Sequence, residues 1–249
     1  MNTPSQFSGD MSPRWAILGT MSRPSPGLAA FSAGCYEAPR AAALSGVPTR
    51  TVYDWAAKGI VVPSISPVQE KLWSYADLMA LRIVAWLRRP KAAGADDDPE
   101  SLPASPMPQV RSALAILDQL GMDLWSRDGG DSSPLVVDQR GSIHVRDGDH
   151  FVDLRGNESF PLGVWLNLLG PFDVGGHRGP DLLAPRPHLR IAPERVAGEP
   201  HVENTRLTTR TLAGMAARGF TVPEIAEMYS VSATAVAEAV DLEADLSAA

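Results

Sequence analysis

The sequence predicts a mainly α-helical protein with an α+β module in the middle of the chain. Three observations predict this class. Residues 36–87 read as helices around two short β-like runs, residues 122–184 alternate β-like runs with turn clusters, and residues 209–243 contain three helical segments. We therefore predict a flexible tail at 1–33, a helical unit with a two-stranded wing at 34–90, a linker at 91–108, an α+β module at 109–184 and a trihelical domain at 185–249.

Charge is distributed unevenly along the chain of 249 residues, which has a net charge of -7 and a pI of about 5.2. Residues 36–91 hold eight basic and four acidic residues and are the strongly positive segment, whereas residues 92–150 and 151–249 carry net charges of -7 and -5. An acidic chain is a poor indiscriminate binder of nucleic acid, because such binding depends on neutralising phosphates. The main nucleic-acid contact is therefore expected in the segment 36–91, and a contact from Arg206 and Arg210 stays open.

The positive segment has the signals of a helix, a tight turn and a second helix. A first helix is predicted at Ala38–Leu44, Gly46 makes the turn, and a second helix follows Pro48 at Thr49–Ala57 and ends before Gly59. The β-like runs 60–63 and 71–75 then predict a small wing, and Asp77 opens a third helix at 78–87.

This order predicts a winged helix-turn-helix, whose second helix enters the major groove of DNA. Hydroxyls and Arg50 lie at the exposed start of that helix, where phosphate and base edges are contacted. The alternative that Tyr53, Trp73 or Tyr75 only pack in a core stays open. The predicted DNA-binding residues are Thr49, Arg50, Thr51, Tyr53, Lys58, Lys71, Ser74 and Tyr75.

The stretch "YEAPRAAALSGVPTRTVYDWAAKGIVVP…LWSYADLMALRIVAWL" resembles the MerR-type winged helix-turn-helix over about 55 residues. One departure matters: MerR regulators continue into a long dimerisation helix, whereas Pro90 and an acidic, proline-rich stretch follow here. The single cysteine, Cys35, also leaves no cysteine pair for a metal effector. A ligand- or metal-sensing activator of the MerR type is therefore not expected.

The middle module is predicted to hold a helix at 110–120 and β-like runs at 135–137, 143–145 and 151–154, while 161–169 fits either a short helix or a strand. Its acidic balance suits a basic protein partner, since complementary charge steers association. The predicted partner-binding residues are Phe160, Trp165, Leu166 and Phe172, and the alternative that they form the module's own core stays open.

The C-terminal unit is predicted to contain helices at 209–218, 222–229 and 232–243, with Thr221 and Ser232 as N-caps. The last helix is acidic and is expected to contact protein rather than DNA. The pieces Ile191–Pro193, Gly198–Pro200, Thr205–Arg206 and Gly219–Tyr229 resemble a small trihelical domain once catalogued only as a domain of unknown function and grouped with VapB-type antitoxins; Asn204 stands where that family often has glycine.

Together the two resemblances imply an antitoxin of a type II toxin–antitoxin system. Such a protein binds operator DNA and neutralises a PIN-domain ribonuclease toxin. The alternative is a stand-alone MerR-like transcriptional regulator with a ligand or partner site in the middle module.

Signature motifs for catalysis are missing from the sequence, so we predict no enzyme, no catalytic residue, no cofactor and no metal. The acidic trio Asp147, Asp149 and Asp153 is interpreted as turn chemistry. One cysteine and no long apolar run predict a cytoplasmic protein without a membrane contact. A homodimer is expected because one helix reads few base pairs.

Overall fold

The computed structural model describes residues 34–90, 102–119, 135–138, 140–147, 150–160, 163–165, 169–174 and 177–248. The predicted tail at 1–33 and residues 91–101 of the predicted linker lie outside the described residues. Within these residues the chain combines seven helices with small antiparallel sheets, so the predicted class is confirmed.

The N-terminal unit consists of β1 (Tyr36–Glu37), α1 (Ala38–Ser45), α2 (Thr49–Ala57), β2 (Leu72–Trp73) and α3 (Tyr75–Leu87). The α1–turn–α2 prediction is confirmed, and α2 has the predicted bounds. The predicted two-stranded wing is wrong, because residues 60–63 form no strand. Instead β2 pairs with β1, placing Trp73 opposite Tyr36, and Leu72 makes a single bridge to Ser66.

A capping box starts α3 two residues before Asp77. The amide of Asp77 donates to Ser74 Oγ at 3.2 Å, and the Asp77 carboxylate accepts from the amides of Ser74 and Ser64 at 2.8 and 2.9 Å. This reciprocal arrangement satisfies amides that the first helical turn cannot pair. The helix therefore begins at Tyr75 rather than at Leu78.

The middle of the chain is a five-stranded antiparallel sheet covered by one helix, α4 (Met107–Gln119). The strand order is β6-β5-β4-β3-β7. The β-like run predicted at 151–154 is a strand. The segment 161–169, for which both a short helix and a strand were open, contains a strand at Gly163–Trp165. The strands are β3 (Leu135–Asp138), β4 (Ile143–Asp147), β5 (His150–Asp153), β6 (Glu158–Ser159) and β7 (Gly163–Trp165).

Residues 102–106 are not a free linker as predicted. Leu102 and Ser105 are buried, and the Ser105 amide donates to the Leu87 carbonyl at 2.7 Å at the end of α3. Ser105 Oγ also donates to the Gly141 carbonyl in the turn between β3 and β4. This segment therefore joins the N-terminal unit to the sheet.

A hairpin of β8 (Phe172–Val174) and β9 (His177–Gly179) packs on the N-terminal unit. Its residues fall within the predicted middle module, 109–184. Gly46 shows how close the approach is. Its φ is +70°, which favours glycine, and a Cβ there would lie 2.7 Å from the Gly179 amide nitrogen. Gly46 is thus required both by the helix-ending turn and by the hairpin.

The C-terminal part begins with the antiparallel pair β10 (Leu189–Arg190) and β11 (His201–Val202), joined through a 3₁₀ turn at Val196–Gly198. The predicted three helices follow as α5 (Thr209–Ala217), α6 (Val222–Tyr229) and α7 (Ala233–Ala248). Both predicted N-caps are present, because Thr221 forms a capping box with Glu224 and Ser232 Oγ accepts from the Ala235 amide. Asn204 has a φ of +60°, the conformation for which glycine is usual.

The two ends of the chain share one core. Arg40 of α1 is buried and donates to Glu199 at 2.7 Å and to Glu243 of α7 at 2.8 Å. Burial opposes its charge, but the hydrogen bonds and charges of these two carboxylates hold the pKa of Arg40 above its usual value. The N-terminal unit and the trihelical domain are therefore packed together rather than separate bodies.

Candidate nucleic-acid interface

Helix α2 presents most of its N-terminal half to solvent. Val52 is its one fully buried residue within the described structure, and Trp55 and Ala56 pack half-buried against the core. Thr49 and Arg50 are exposed, and Thr51 is half-buried. A helix held by one edge in this way can enter a groove about 12 Å wide with its opposite edge.

The start of α2 has no side-chain cap. Pro48 occupies the N-cap position, and a proline side chain has no acceptor for first-turn amides. Unpaired amides and the positive end of the helix dipole attract phosphate oxygens. This arrangement favours a DNA phosphate beside Thr49 and Arg50.

Tyr53 has features of both roles predicted for it, which are contact with DNA and packing against the core. Its ring meets the buried Trp73 edge-on, with centroids 6.1 Å apart and planes at 81°. The side chain is nevertheless 48% exposed. It therefore packs with one edge and offers the other edge and the hydroxyl to a partner.

The basic residues around α2 differ in their exposure and in their ion pairing. Lys58 is exposed but pairs with Asp54 at 2.8 Å, so a phosphate must compete with that carboxylate. Lys71 is half-buried beside β2. Arg111 of α4, which the sequence did not indicate, donates to the Lys58 carbonyl at 3.2 Å and so adds an exposed cation at the end of α2. Arg111 lies 53 residues away along the chain, so no local pattern identifies it.

The DNA-binding assignment of two residues, Ser74 and Tyr75, is wrong. Ser74 is buried and caps α3, and Ser64 Oγ donates to its hydroxyl at 2.8 Å. Tyr75 is also buried and its hydroxyl donates to the Leu182 carbonyl at 2.7 Å. Both side chains are occupied inside the protein and present no surface to DNA.

The positive charge of residues 36–91 is also partly internal. Arg40 is bound to carboxylates, and Arg82 is buried with its guanidinium donating to the carbonyls of Leu44, Gly170 and Pro180. Burial lowers the pKa of Arg82 to about 9, so it stays cationic at neutral pH. The external basic surface is therefore smaller than the residue count predicts.

The predicted partner-binding residues do not form one surface. Phe172 is buried with its ring 5.3 Å from the Arg82 guanidinium, which corrects its assignment. Phe160 is 87% exposed. Trp165 lies in β7 with its backbone opposite Val136, while its side chain and Leu166 fall outside the described residues.

The described residues hold neither a metal-binding cluster nor a membrane-spanning helix. No group of three or more His, Cys, Asp or Glu there could hold a metal ion. Asp153 instead accepts from the amides of Arg155 and Asn157, as expected for turn chemistry. No helix among the described residues has the length and apolar character needed to cross a membrane.

The C-terminal part of the chain matches a known protein family. Residues 190–241 match a family described as a protein of unknown function, DUF433. The match begins in β10 and ends within α7, so it covers the hairpin, its long turn and the helical domain. The predicted resemblance to a domain of unknown function is thereby confirmed over these residues.

Among solved structures, the chain is similar to the crystal structure of Rv2018 from Mycobacterium tuberculosis. The two share 16% sequence identity at a TM-score of 0.42, over 83% of this chain and 96% of the other. No curated protein sequence matches the chain.

Proposed function

We propose that this chain is an antitoxin of a type II toxin–antitoxin system, which binds operator DNA through α2 and neutralises a PIN-domain ribonuclease toxin. The observation that carries the proposal is the presentation of α2, whose Thr49, Arg50 and Tyr53 are exposed at an uncapped helix start. Arg50 is suited to a guanine edge or a phosphate. Its lack of an ion-pair partner among the described residues leaves it available for either.

The DNA-binding part of the proposal rests on the resemblance to MerR-type winged helix-turn-helix units. The helix pair and the capped third helix support the proposal, although residues 60–63 do not form the predicted wing strand. Lys58, Lys71 and Arg111 would flank the DNA, and a homodimer would place two copies of α2 on two half-sites.

The toxin-binding part rests on the resemblance of the C-terminal domain to VapB-associated domains. The acidic residues 92–150 suit a basic ribonuclease. Phe160, at 87% exposure, is the strongest remaining contact from the predicted set. A large exposed aromatic ring is a common anchor at protein interfaces.

The test is co-expression with the neighbouring open reading frame. The neighbour alone should arrest growth, and this chain should relieve the arrest and co-purify with it. Arg50→Ala should retain toxin binding, because α2 is assigned to DNA. A neighbour that is harmless alone, or that does not co-purify, would contradict the antitoxin proposal and favour the stand-alone regulator.

Phe160→Ala provides a sharper test of the toxin surface, with Val68→Ala, another exposed apolar residue, as the control. We expect Phe160→Ala to weaken toxin capture by about tenfold or more, as for an interface anchor. Equal capture by the two variants would remove Phe160 from the toxin surface.

A further inference from the structure

A half-open cavity of about 860 Å³ lies beside the β10–β11 hairpin. Its volume is within the range of small-molecule sites. Its walls come from β10, the 3₁₀ turn, β11 and the turn that leads into α5. The lining includes Arg190, Arg195, Arg206, His201, Glu203 and Ile191.

The cations around this cavity outnumber the carboxylates that neutralise them. Arg190 is paired with Glu203 at 2.9 Å. Arg195 and Arg206 are exposed, and neither has a carboxylate partner within the described residues. Guanidinium groups form two parallel hydrogen bonds to phosphate or carboxylate oxygens. Two of them at one cavity, with Glu194 as the opposing carboxylate, favour an anionic ligand.

His201 adds a nearly buried polar group to the same cavity, at 1% exposure. Its Nδ1 lies 2.9 Å from the Glu199 carbonyl oxygen, which can only accept. The proton of the neutral ring is therefore on Nδ1, and Nε2 is the ring's remaining hydrogen-bonding atom. A bound anion would favour protonation of Nε2, which would then donate to it.

The backbone of the cavity wall is held in an unusual shape. Val196, Ala197 and Gly198 have φ values of +43°, +54° and +79° in succession. The amide of Cys35 donates to the Ala197 carbonyl at 2.8 Å, and the Tyr36 hydroxyl donates to the Gly198 carbonyl at 2.8 Å. Strained backbone of this kind persists where the surrounding structure fixes it and is concentrated at functional sites.

We infer that this cavity binds a small phosphorylated molecule, with its phosphate between Arg195 and Arg206. A phosphate monoester carries close to two negative charges and three terminal oxygens. Its three terminal oxygens can therefore accept hydrogen bonds from both guanidinium groups at once. Ile191, Val196 and Leu183 provide an apolar wall for an organic remainder. The inference goes beyond the proposed function and holds whether or not α2 binds DNA.

Calorimetric titration of the full chain in the absence of DNA tests this site. One arm uses inorganic phosphate and a second uses adenosine monophosphate, both against sodium chloride at equal ionic strength. We expect saturable binding of at least one phosphate probe and none of chloride. Tighter binding of the nucleotide would identify an organic phosphate as the ligand, and equal binding would identify free phosphate.

The double variant Arg195→Gln/Arg206→Gln should weaken phosphate binding by about tenfold or more, because two charge-assisted contacts are lost. Arg218→Gln, an exposed arginine of the same domain outside this cavity, should bind as the unmodified chain does. Circular dichroism verifies that the variants fold. Absence of saturable binding to both phosphate probes, or unchanged affinity in the double variant, would overturn the inference.

Discussion

Two buried arginines hold the chain together through different chemistry. Arg40 binds two carboxylates, one in the long turn and one in α7. Arg82 donates to carbonyl oxygens from α1 and from both sides of the β8–β9 hairpin. Its guanidinium also lies against the Phe172 ring. Both residues contribute to the sequence's positive segment, yet neither acts at the surface.

Replacement of Arg82 by methionine should cost at least about 3 kcal/mol of unfolding free energy, because buried carbonyls that lose a donor cost about 1–3 kcal/mol each. Urea denaturation measures the change. The control is Arg178→Met, whose side chain is 85% exposed and pairs with Asp173; we expect less than about 1 kcal/mol there. Similar losses in both variants would contradict the role of Arg82.

His201 should make stability depend on pH. Burial lowers the pKa of His201 below its usual value, so in mildly acidic solution the unfolded chain binds a proton that the folded chain resists. The free energy of unfolding should therefore fall as pH drops below about 6.5, the unfolded value, and this loss continues down to the folded pKa.

The measurement is urea denaturation at about pH 7.5 and about pH 5.5 for the unmodified chain and for His201→Gln. The variant should lose less stability between the two values than the unmodified chain. An equal pH dependence in both proteins would show that His201 does not supply it.

At the scale of elements, local signals predicted the helices well. Gly46 and Pro48 delimit α1 and α2, and Thr221 and Ser232 start the last two helices as predicted. The S-x-x-D pattern at Ser74 is typical of a helix start at that serine, whereas the predicted start is Asp77. The capping box shows that the aspartate instead lies one turn inside.

The wing was the element that local signals mispredicted. The apolar run at 60–63 predicts a strand, but β2 pairs with β1, which lies more than thirty residues earlier in the chain. Packing decides strand pairing over such a distance in the chain. The apolar pattern of a segment therefore does not identify its partner strand. Packing between residues far apart in the chain also places Arg111 beside α2 and buries Phe172, and no local pattern identifies either position.

Ser74→Ala should lower the unfolding free energy by about 1 kcal/mol through loss of the cap on α3. It should leave operator affinity unchanged, because the Ser74 side chain is buried. Urea denaturation and a gel-shift titration provide the two readings, with Ser112→Ala, whose hydroxyl is exposed, as the stability control. Weaker DNA binding at full stability would restore Ser74 to the DNA-binding set.

At the scale of the molecule, the ends of the chain depend on each other. The predicted boundary between a winged unit and a trihelical domain is bridged by the Arg40 ion pairs and by the Tyr36 hydroxyl on Gly198. A Cβ on Gly198 would lie 2.0 Å from that hydroxyl, so the two parts meet closely. We therefore expect them to unfold in one transition.

Arg40→Gln should reduce stability by about 3–5 kcal/mol, because it leaves Glu199 and Glu243 without their buried partner. Arg210→Gln is the matched control, since Arg210 approaches the same Glu199 at 3.8 Å but is 63% exposed; we expect less than about 1 kcal/mol there. Fluorescence-monitored urea unfolding distinguishes the two. Comparable effects would show that the contact between the two ends is weak.

The proposed reading of operator DNA by α2 is tested most directly by a gel-shift titration of the chain's own promoter DNA with Arg50→Ala. The exposed Arg178 provides the matched control, as Arg178→Ala. We expect Arg50→Ala to weaken binding by about 1–3 kcal/mol and Arg178→Ala to have no effect. Promoter affinity that is the same for Arg50→Ala and the unmodified chain would contradict the proposal.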